Sequence, residues 1–242
     1  MGKIGGSKIT KRSVAPAFWK IPRKKYSFTV TTSPGPHPKN TSYPLAVLIR
    51  DVLKLVKTFR ETKVVMQEEK IVVDGIVRKN PSFPIGLMDV IEISSIDKSY
   101  RMVPLTTSNL QPIVIPSNEK SLKICKVTKK TTVKGGITQI GLHDGRSILF
   151  KESTDLNCGD SCLIKVPSQE IVEKVRLSPG AISIVIGGSR VGEIGKIKEI
   201  KSGTFSSHPM VKIELENDIV ELPRRFVLAV GSTSPLITIK PT

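Results

Sequence analysis

The chain has 242 residues, enough for roughly two or three small domains, and carries 38 Lys+Arg against 21 Asp+Glu, a formal net charge of +17. That excess makes a polyanion (RNA, DNA or an acidic membrane surface) the natural partner, while 38% hydrophobic residues exclude a chain disordered throughout. No run approaches ~18 uninterrupted apolar residues, so no membrane-spanning helix is expected.

Residues 1–40 hold nine Lys/Arg (Lys3, Lys8, Lys11, Arg12, Lys20, Arg23, Lys24, Lys25 and Lys39) and no acid, more than half of the net charge. The segment also carries Pro16, Pro22, Pro34, Pro36 and Pro38 and has no helical or strand period. It reads as an extended basic arm over 1–41 that orders on RNA, with Trp19 among the cations as a ring for base stacking. It has no apolar core of a secretory signal, and a cytoplasmic location is expected.

The next stretch, "TSYPLAVLIRDVLKLVKTFRE", places Leu45, Leu48, Ile49, Val52, Leu53, Val56 and Phe59 at helical spacing. It predicts an amphipathic helix with Ser42 as N-cap and Pro44 in the first turn. Arg50, Lys54 and Lys57 then share the opposite face and suit phosphate contact. A shorter helix is expected around 61–68. "KIVVDGIVRKN" reads as a hairpin turning at Asp74-Gly75, and "GLMDVIEI" as a further strand. Asp74 is explained by its turn and Asp89 by a local backbone hydrogen bond, so neither is a catalytic carboxylate.

Residues 98–176 read as β-rich, with no helix of convincing length. "SLKICKVTKKTTV" alternates Leu122, Ile124 and Val127 with Lys123 and Lys126, as in a half-buried strand, and Lys123, Lys126, Lys129, Lys130 and Lys134 are expected to face either RNA or solvent. His143 and His208 lie in turn-like stretches and are expected to be exposed. Cys125, Cys158 and Cys162 are too few, and Cys158 and Cys162 too far apart, for a structural zinc site; reduced thiols and no metal are expected.

"IGGSRVGEIGKIKEIKSG" invites a nucleotide-enzyme reading and fails it. A P-loop lacks its first glycine at Arg190 and its magnesium-binding hydroxyl at Ile197; adjacent Gly187-Gly188 and recurring glycine rather than a helical stripe do not fit the dinucleotide fingerprint. Ile194, Ile197 and Ile200 instead suit a strand that contributes to a small core.

Several segments resemble known families. Two short helices, a V-D-G-x-V-R hairpin and a proline-glycine turn before D-V-I resemble the small RNA-binding module shared by several ribosomal proteins, tyrosyl-tRNA synthetases and pseudouridine synthases. That resemblance implies RNA contacts at Arg50, Lys54, Lys57, Arg60, Arg78 and Lys79. "KRSVAPAFWKIPRKKYSF", "SPGPHPKNTSYPLAVLIRDVL" and "VDGIVRKNPSFPIGLMDVI" together resemble the S4e family of archaeal and eukaryotic small-subunit ribosomal proteins, and the chain's brevity resembles the archaeal branch. The resemblance runs end to end. It implies a multidomain, mainly β chain: a basic extended arm (1–41), a small alpha-L-type α+β RNA-binding domain (42–97), a central β domain (98–176) and a C-terminal SH3-like barrel with a KOW motif and tail (177–242). Gly188, Gly192, Gly195 and Ile197 match the KOW pattern, with Arg190, Lys196, Lys198 and Lys201 available to phosphate.

Along the arm, Lys8, Lys11, Arg12, Trp19, Lys20, Arg23, Lys24 and Lys25 are the expected RNA contacts, with His37 from the family's arm motif. Two departures stand out: Ile9-Thr10 replaces a His-Leu pair common before Lys11-Arg12, and the C-terminus lacks a basic glycine-rich finish, so no RNA contact is expected beyond Arg225. The function implied is a non-catalytic constituent of the small ribosomal subunit, monomeric within the ribosome, with small-subunit rRNA and neighbouring ribosomal proteins as partners and no cofactor. A KOW-bearing transcription factor or an RNA-modifying enzyme is the alternative.

Overall fold

In the computed structural model, which describes residues 8–22, 24, 26–96, 98–105, 108–151, 154–205, 207–215 and 218–240, the basic N-terminal segment is folded rather than extended. Strands β1 (Ile9–Lys11) and β2 (Phe28–Val30) pair antiparallel, Ile9 opposite Val30 and Lys11 opposite Phe28. Between them the chain turns inward. Trp19 is only 2% exposed, stacks on Tyr43 with ring centroids 6.3 Å apart, and donates its Nε1–H to the Ser42 carbonyl at 2.9 Å. Ala15, Ile21 and Val30 are buried with it. The expectation of a slim arm was wrong because apolar residues spaced irregularly, without strand or helix period, still find a core when a partner surface is supplied by the same chain.

Strand β3 (Tyr43–Pro44) leads into α1 (Leu45–Val47), which continues as a π-helical turn over Leu48–Val52. The long helix expected here ends at Leu53, and Lys54 takes a left-handed backbone with φ 54°. A separate helix, α2 (Phe59–Gln67), then starts at Thr58. Its capping box is complete: the Thr58 hydroxyl accepts from the Glu61 N–H, and the Glu61 carboxylate accepts from the Thr58 N–H. Thr58-x-x-Glu61 is a local start signal that overrides the longer apolar period. Ser42 caps nothing; its hydroxyl donates to the Pro38 carbonyl, and Pro44 occupies the N-cap position.

The hairpin forms as expected. Strands β4 (Ile71–Val73) and β5 (Ile76–Val77) meet at Asp74-Gly75, both at positive φ (51° and 73°), the backbone of a type I′ turn. After β6 (Pro84–Ile85), which pairs with β3, come β7 (Val90–Ile93), β8 (Lys98–Leu105) and β9 (Ser108–Ile115). These complete a five-stranded sheet in the order β5-β4-β7-β8-β9, so the chain on both sides of position 97 belongs to one sheet. Glycine turns lead through β10 (Leu122–Thr132), β11 (Thr138–Leu142), β12 (Ser147–Phe150), β13 (Ser161–Lys165) and β14 (Glu170–Val175), a second sheet ordered β12-β11-β10-β13-β14.

The last sheet runs β18-β17-β16-β15-β19, from β15 (Ile182–Val185), β16 (Ile194–Lys201), β17 (Met210–Glu214), β18 (Ile219–Pro223) and β19 (Val227–Gly231). All the ladders among the described residues are antiparallel, and the protein is mainly β with few helices. One core is shared by all three large sheets: Val90 and Val103, Ile124 and Leu163, Ile184 and Leu228 pack with Ile237 and Ile239 of the C-terminal segment. Arg101, buried on β8, fixes that segment: it pairs with Glu119 and donates to the Thr238 carbonyl, while Thr238 donates back to Glu119.

Candidate nucleic-acid interface

The expected contacts divide by burial. Lys8, Lys11, Lys20 and Lys24 are exposed on the folded N-terminal segment; Arg23 and Lys25 lie outside the described residues. Arg12 is buried, donating to the Pro22 carbonyl at 2.7 Å and the Phe28 carbonyl at 3.2 Å. Trp19 belongs to the core and presents no ring to a base. His37 is buried as well, hydrogen-bonded to Asp89 at 3.0 Å and packed over Gly86, where a Cβ would meet the imidazole at 2.3 Å. These two are therefore structural rather than surface residues.

Because the long helix breaks, Arg50, Lys54 and Lys57 do not line one helical face. Arg50 is half-buried against Asp51 through two hydrogen bonds, at 2.7 and 3.1 Å. Lys54, Lys57 and Arg60 remain exposed. On the hairpin, Arg78 lies over the Phe83 ring at 4.4 Å, and Lys79 forms an exposed ion pair with Glu69 at 2.6 Å, the kind that yields readily to a polyanion.

Folding brings the N-terminal segment and the helical region together at a groove of ≈ 930 Å³. Arg12, Arg50 and Lys57 line it, with Tyr26, Phe28 and Phe59 between them. The rings of Tyr26 and Phe28 were missed in the sequence; the signal was an aromatic pair in the run after Lys24, which reads as a strand only once β1 is known to pair with it.

Two lysines of β10 expected on a surface, Lys123 and Lys126, are inside, whereas Lys129, Lys130 and Lys134 are exposed. Lys123 sits among Asp89 (2.6 Å), Asp74 (2.7 Å) and Asp144 (3.1 Å), and Arg146 reaches Asp74 at 3.0 Å and Asp144 at 3.3 Å. The remaining carboxylate oxygens are satisfied locally: Asp89 accepts from the Gly86 N–H and Asp74 from the Val90 N–H. Burial alone would raise the Asp89 carboxyl, but the charges of Lys123 and His37 hold it well below the usual range. Burial alone would lower Lys123, yet its carboxylates keep it firmly protonated. Lys126 donates all three ammonium protons to the carbonyls of Arg224, Arg225 and Val227 at 2.6–3.0 Å, joining the second sheet to the third; burial lowers its pKa to about 8.

His143 is not exposed in a turn either. It packs against His37 with ring centroids 5.8 Å apart, accepts from the Lys126 N–H at Nδ1 and donates from Nε2 to the Leu87 carbonyl. Burial and the nearby Lys123 push it down to about 4, so it is neutral. Its donor atoms stand within 4.8 Å of those of Cys125 and Asp144, a grouping that suits a metal by composition. Each donor is already engaged: both imidazole nitrogens as described, the Cys125 thiol donating to Asp144 at 3.7 Å, and Asp144 held by Lys123 and Arg146. The trio fits a hydrogen-bonded core better than a metal centre. Cys162 faces Cys125 across the β10–β13 ladder and is equally buried.

On the third sheet, Gly188 (φ 93°) and Gly192 (φ 88°) turn the chain between β15 and β16, and Gly195 lets the backbones touch: a Cβ there would lie 2.3 Å from the Glu214 carbonyl oxygen. Ile197 is buried and Ile194 and Ile200 are half-buried, as expected. Lys196 is exposed, whereas Arg190 pairs with Asp218 and Glu193, Lys198 with Glu214, and Lys201 with Glu221, all at the surface.

Comparison with known proteins places the chain among ribosomal proteins. The sequence profile of ribosomal family S4e matches residues 96–171, and that of the RS4NT (NUC023) domain matches residues 4–40. The small ribosomal subunit protein eS4 of Ignicoccus hospitalis is 41% identical over 98% of this chain and 97% of its own length. That of Staphylothermus marinus is 39% identical over 98% and 97%. The crystal structure of the 30S ribosomal protein S4e from Thermoplasma acidophilum, 29% identical, superposes with a TM-score of 0.70 over 81% of this chain and 97% of that one. The chain belongs to the S4e family.

Proposed function

We propose that this protein is a structural constituent of the small ribosomal subunit that binds and holds small-subunit rRNA during assembly and translation and carries out no catalysis. The observation that carries this reading is the 41% identity spread over 98% of the chain to a relative named for that subunit. The end-to-end match leaves no ground for a transcription factor or an RNA-modifying enzyme, either of which would share one module only.

The mechanism is electrostatic and geometric. Exposed Lys8, Lys11, Lys20, Lys24, Lys54, Lys57, Arg60 and Lys196 displace counterions from phosphates. The buried ion cluster fixes the spacing between the surfaces that carry them, so backbone contacts position the protein by RNA shape rather than by sequence. In the finer reading, residues 42–97 supply the alpha-L-type module, whose sheet continues past position 97 into β8 and β9, and residues 177–242 are an SH3-like barrel; the glycine-bearing turn between β15 and β16 is its KOW motif. The five-strand order of the third sheet and its tight glycine contacts support that reading. Neighbouring ribosomal proteins complete the surroundings of a monomer in the cytoplasm.

Salt-stepped sedimentation of a native lysate tests the function. The chain is expected to travel stoichiometrically with the small subunit and to stay there at moderate salt. Recovery at the top of the gradient, or with RNA polymerase, overturns it.

A further inference from the structure

The groove between the β1–β2 ladder and the start of α2 has a composition the backbone-binding role does not require. Tyr26 and Phe28 are 61% and 53% exposed, although each ring costs free energy in water. The Arg12 guanidinium lies 5.3 Å from the centre of the Tyr26 ring and is fixed by two carbonyls, so the ring has a charged support at its side. Arg12, Arg50 and Lys57 line the groove with Asp51, which Arg50 already engages.

We propose that this groove takes an unstacked RNA base, stacked on Tyr26 and Phe28, with the flanking phosphates at Lys57 and Arg50. The proposal rests on the ribosomal RNA-binding reading and adds to it a single-stranded element. A phosphate-only site would need cations and no rings. An A-form helix keeps its bases stacked and cannot present one to the exposed rings, whereas a bulged or looped nucleotide can. The groove is open to solvent and, at ≈ 930 Å³, is of the size of small-ligand sites. The apolar lining is open to a hydrophobic peptide too, but the excess of cations around it favours a polyanion.

The full chain is mixed with a single-stranded RNA hexamer carrying 2-aminopurine, and separately with a duplex RNA of equal charge. Stacking on the rings is expected to quench the 2-aminopurine. Tyr26→Leu with Phe28→Leu, which keeps apolar volume on exposed positions, is expected to abolish the quench and weaken hexamer binding by roughly tenfold or more, leaving duplex binding unchanged. Fluorescence of the single tryptophan, buried Trp19, reports that the double variant is folded. Equal hexamer affinity for wild type and the double variant, or binding without quenching, overturns the proposal, and the latter is the outcome a peptide groove would give. Sedimentation of wild type and the double variant separates the two readings: a chain that travels with the small subunit but shows no ring-dependent quench loses only the groove, and one that does not travel with it loses the ribosomal role.

Discussion

Lys123 is an ammonium with almost no exposed surface, and three carboxylates from three different turns close around it. Removing one member of such a set leaves the others charged and dry. Lys123→Met is expected to cost about 3–5 kcal/mol, read as a drop in urea midpoint, whereas loss of an exposed pair such as Lys79–Glu69 should cost well under about 1 kcal/mol. The cluster also sets how the fold responds to acid. His143 is neutral in the folded chain and stays so down to about 4, against an ordinary value of 6.5. Between those values the unfolded chain binds a proton that the folded chain does not, so stability falls as pH drops from about 6.5 toward 4. Asp89 and Asp144 have depressed pKa values, so their contribution, complete above about 4, is lost as pH falls further. A urea midpoint that stays flat from pH 7 to pH 5 would contradict the assignment of His143.

At the scale of elements, the break after Leu53 concentrates strain at one exposed position. Lys54 pays for its left-handed backbone because it carries a Cβ. Lys54→Gly should therefore raise stability by about 1 kcal/mol while removing one cation; on rRNA fragments the log–log salt slope should shrink by about 0.7–0.9, and an unchanged slope would take Lys54 out of the interface. The break explains what sequence reading reached and what it did not. The hairpin at Asp74-Gly75 was legible because two adjacent residues specify the turn. The first helix reads too long in the sequence because its apolar period continues to Phe59 past the break at Lys54, whereas the shorter second helix, expected around 61–68, is present as α2. The cluster around Lys123 was not legible from pattern: Asp89 and Asp74 stand 34 and 49 residues away, and Lys123 and Lys126, three apart on β10, lie on opposite faces of the strand. Only the neighbouring sheets meeting around β10 cover both faces.

For the whole molecule, the N-terminal segment and the C-terminal segment are both parts of cores. Deleting residues 1–40 removes Trp19 and Ile21 from the cluster that contains Tyr43, Leu48, Ile71 and Met102. The remainder is expected to lose cooperative unfolding, contrary to the separable arm that composition suggests, and a remainder that still melts sharply in calorimetry would restore that view. The single substitution Trp19→Ala should cost about 3–5 kcal/mol. At the other end, deletion from Leu236 onward opens the shared core and leaves buried Arg101 with a weakened set of partners, so a lower Tm is expected, well beyond that of a surface truncation.

The burial of Trp19 has a consequence for the chain as it is made. A polypeptide emerges from its N-terminus, so Trp19 enters water long before Met102 and Leu110, which complete its pocket, have been joined. At roughly 5–20 residues per second that delay is on the order of 5–20 seconds, during which the most cationic part of the chain is also the part whose hydrophobic anchor has nowhere to go. The newborn segment is thus at its most adhesive when it is least complete.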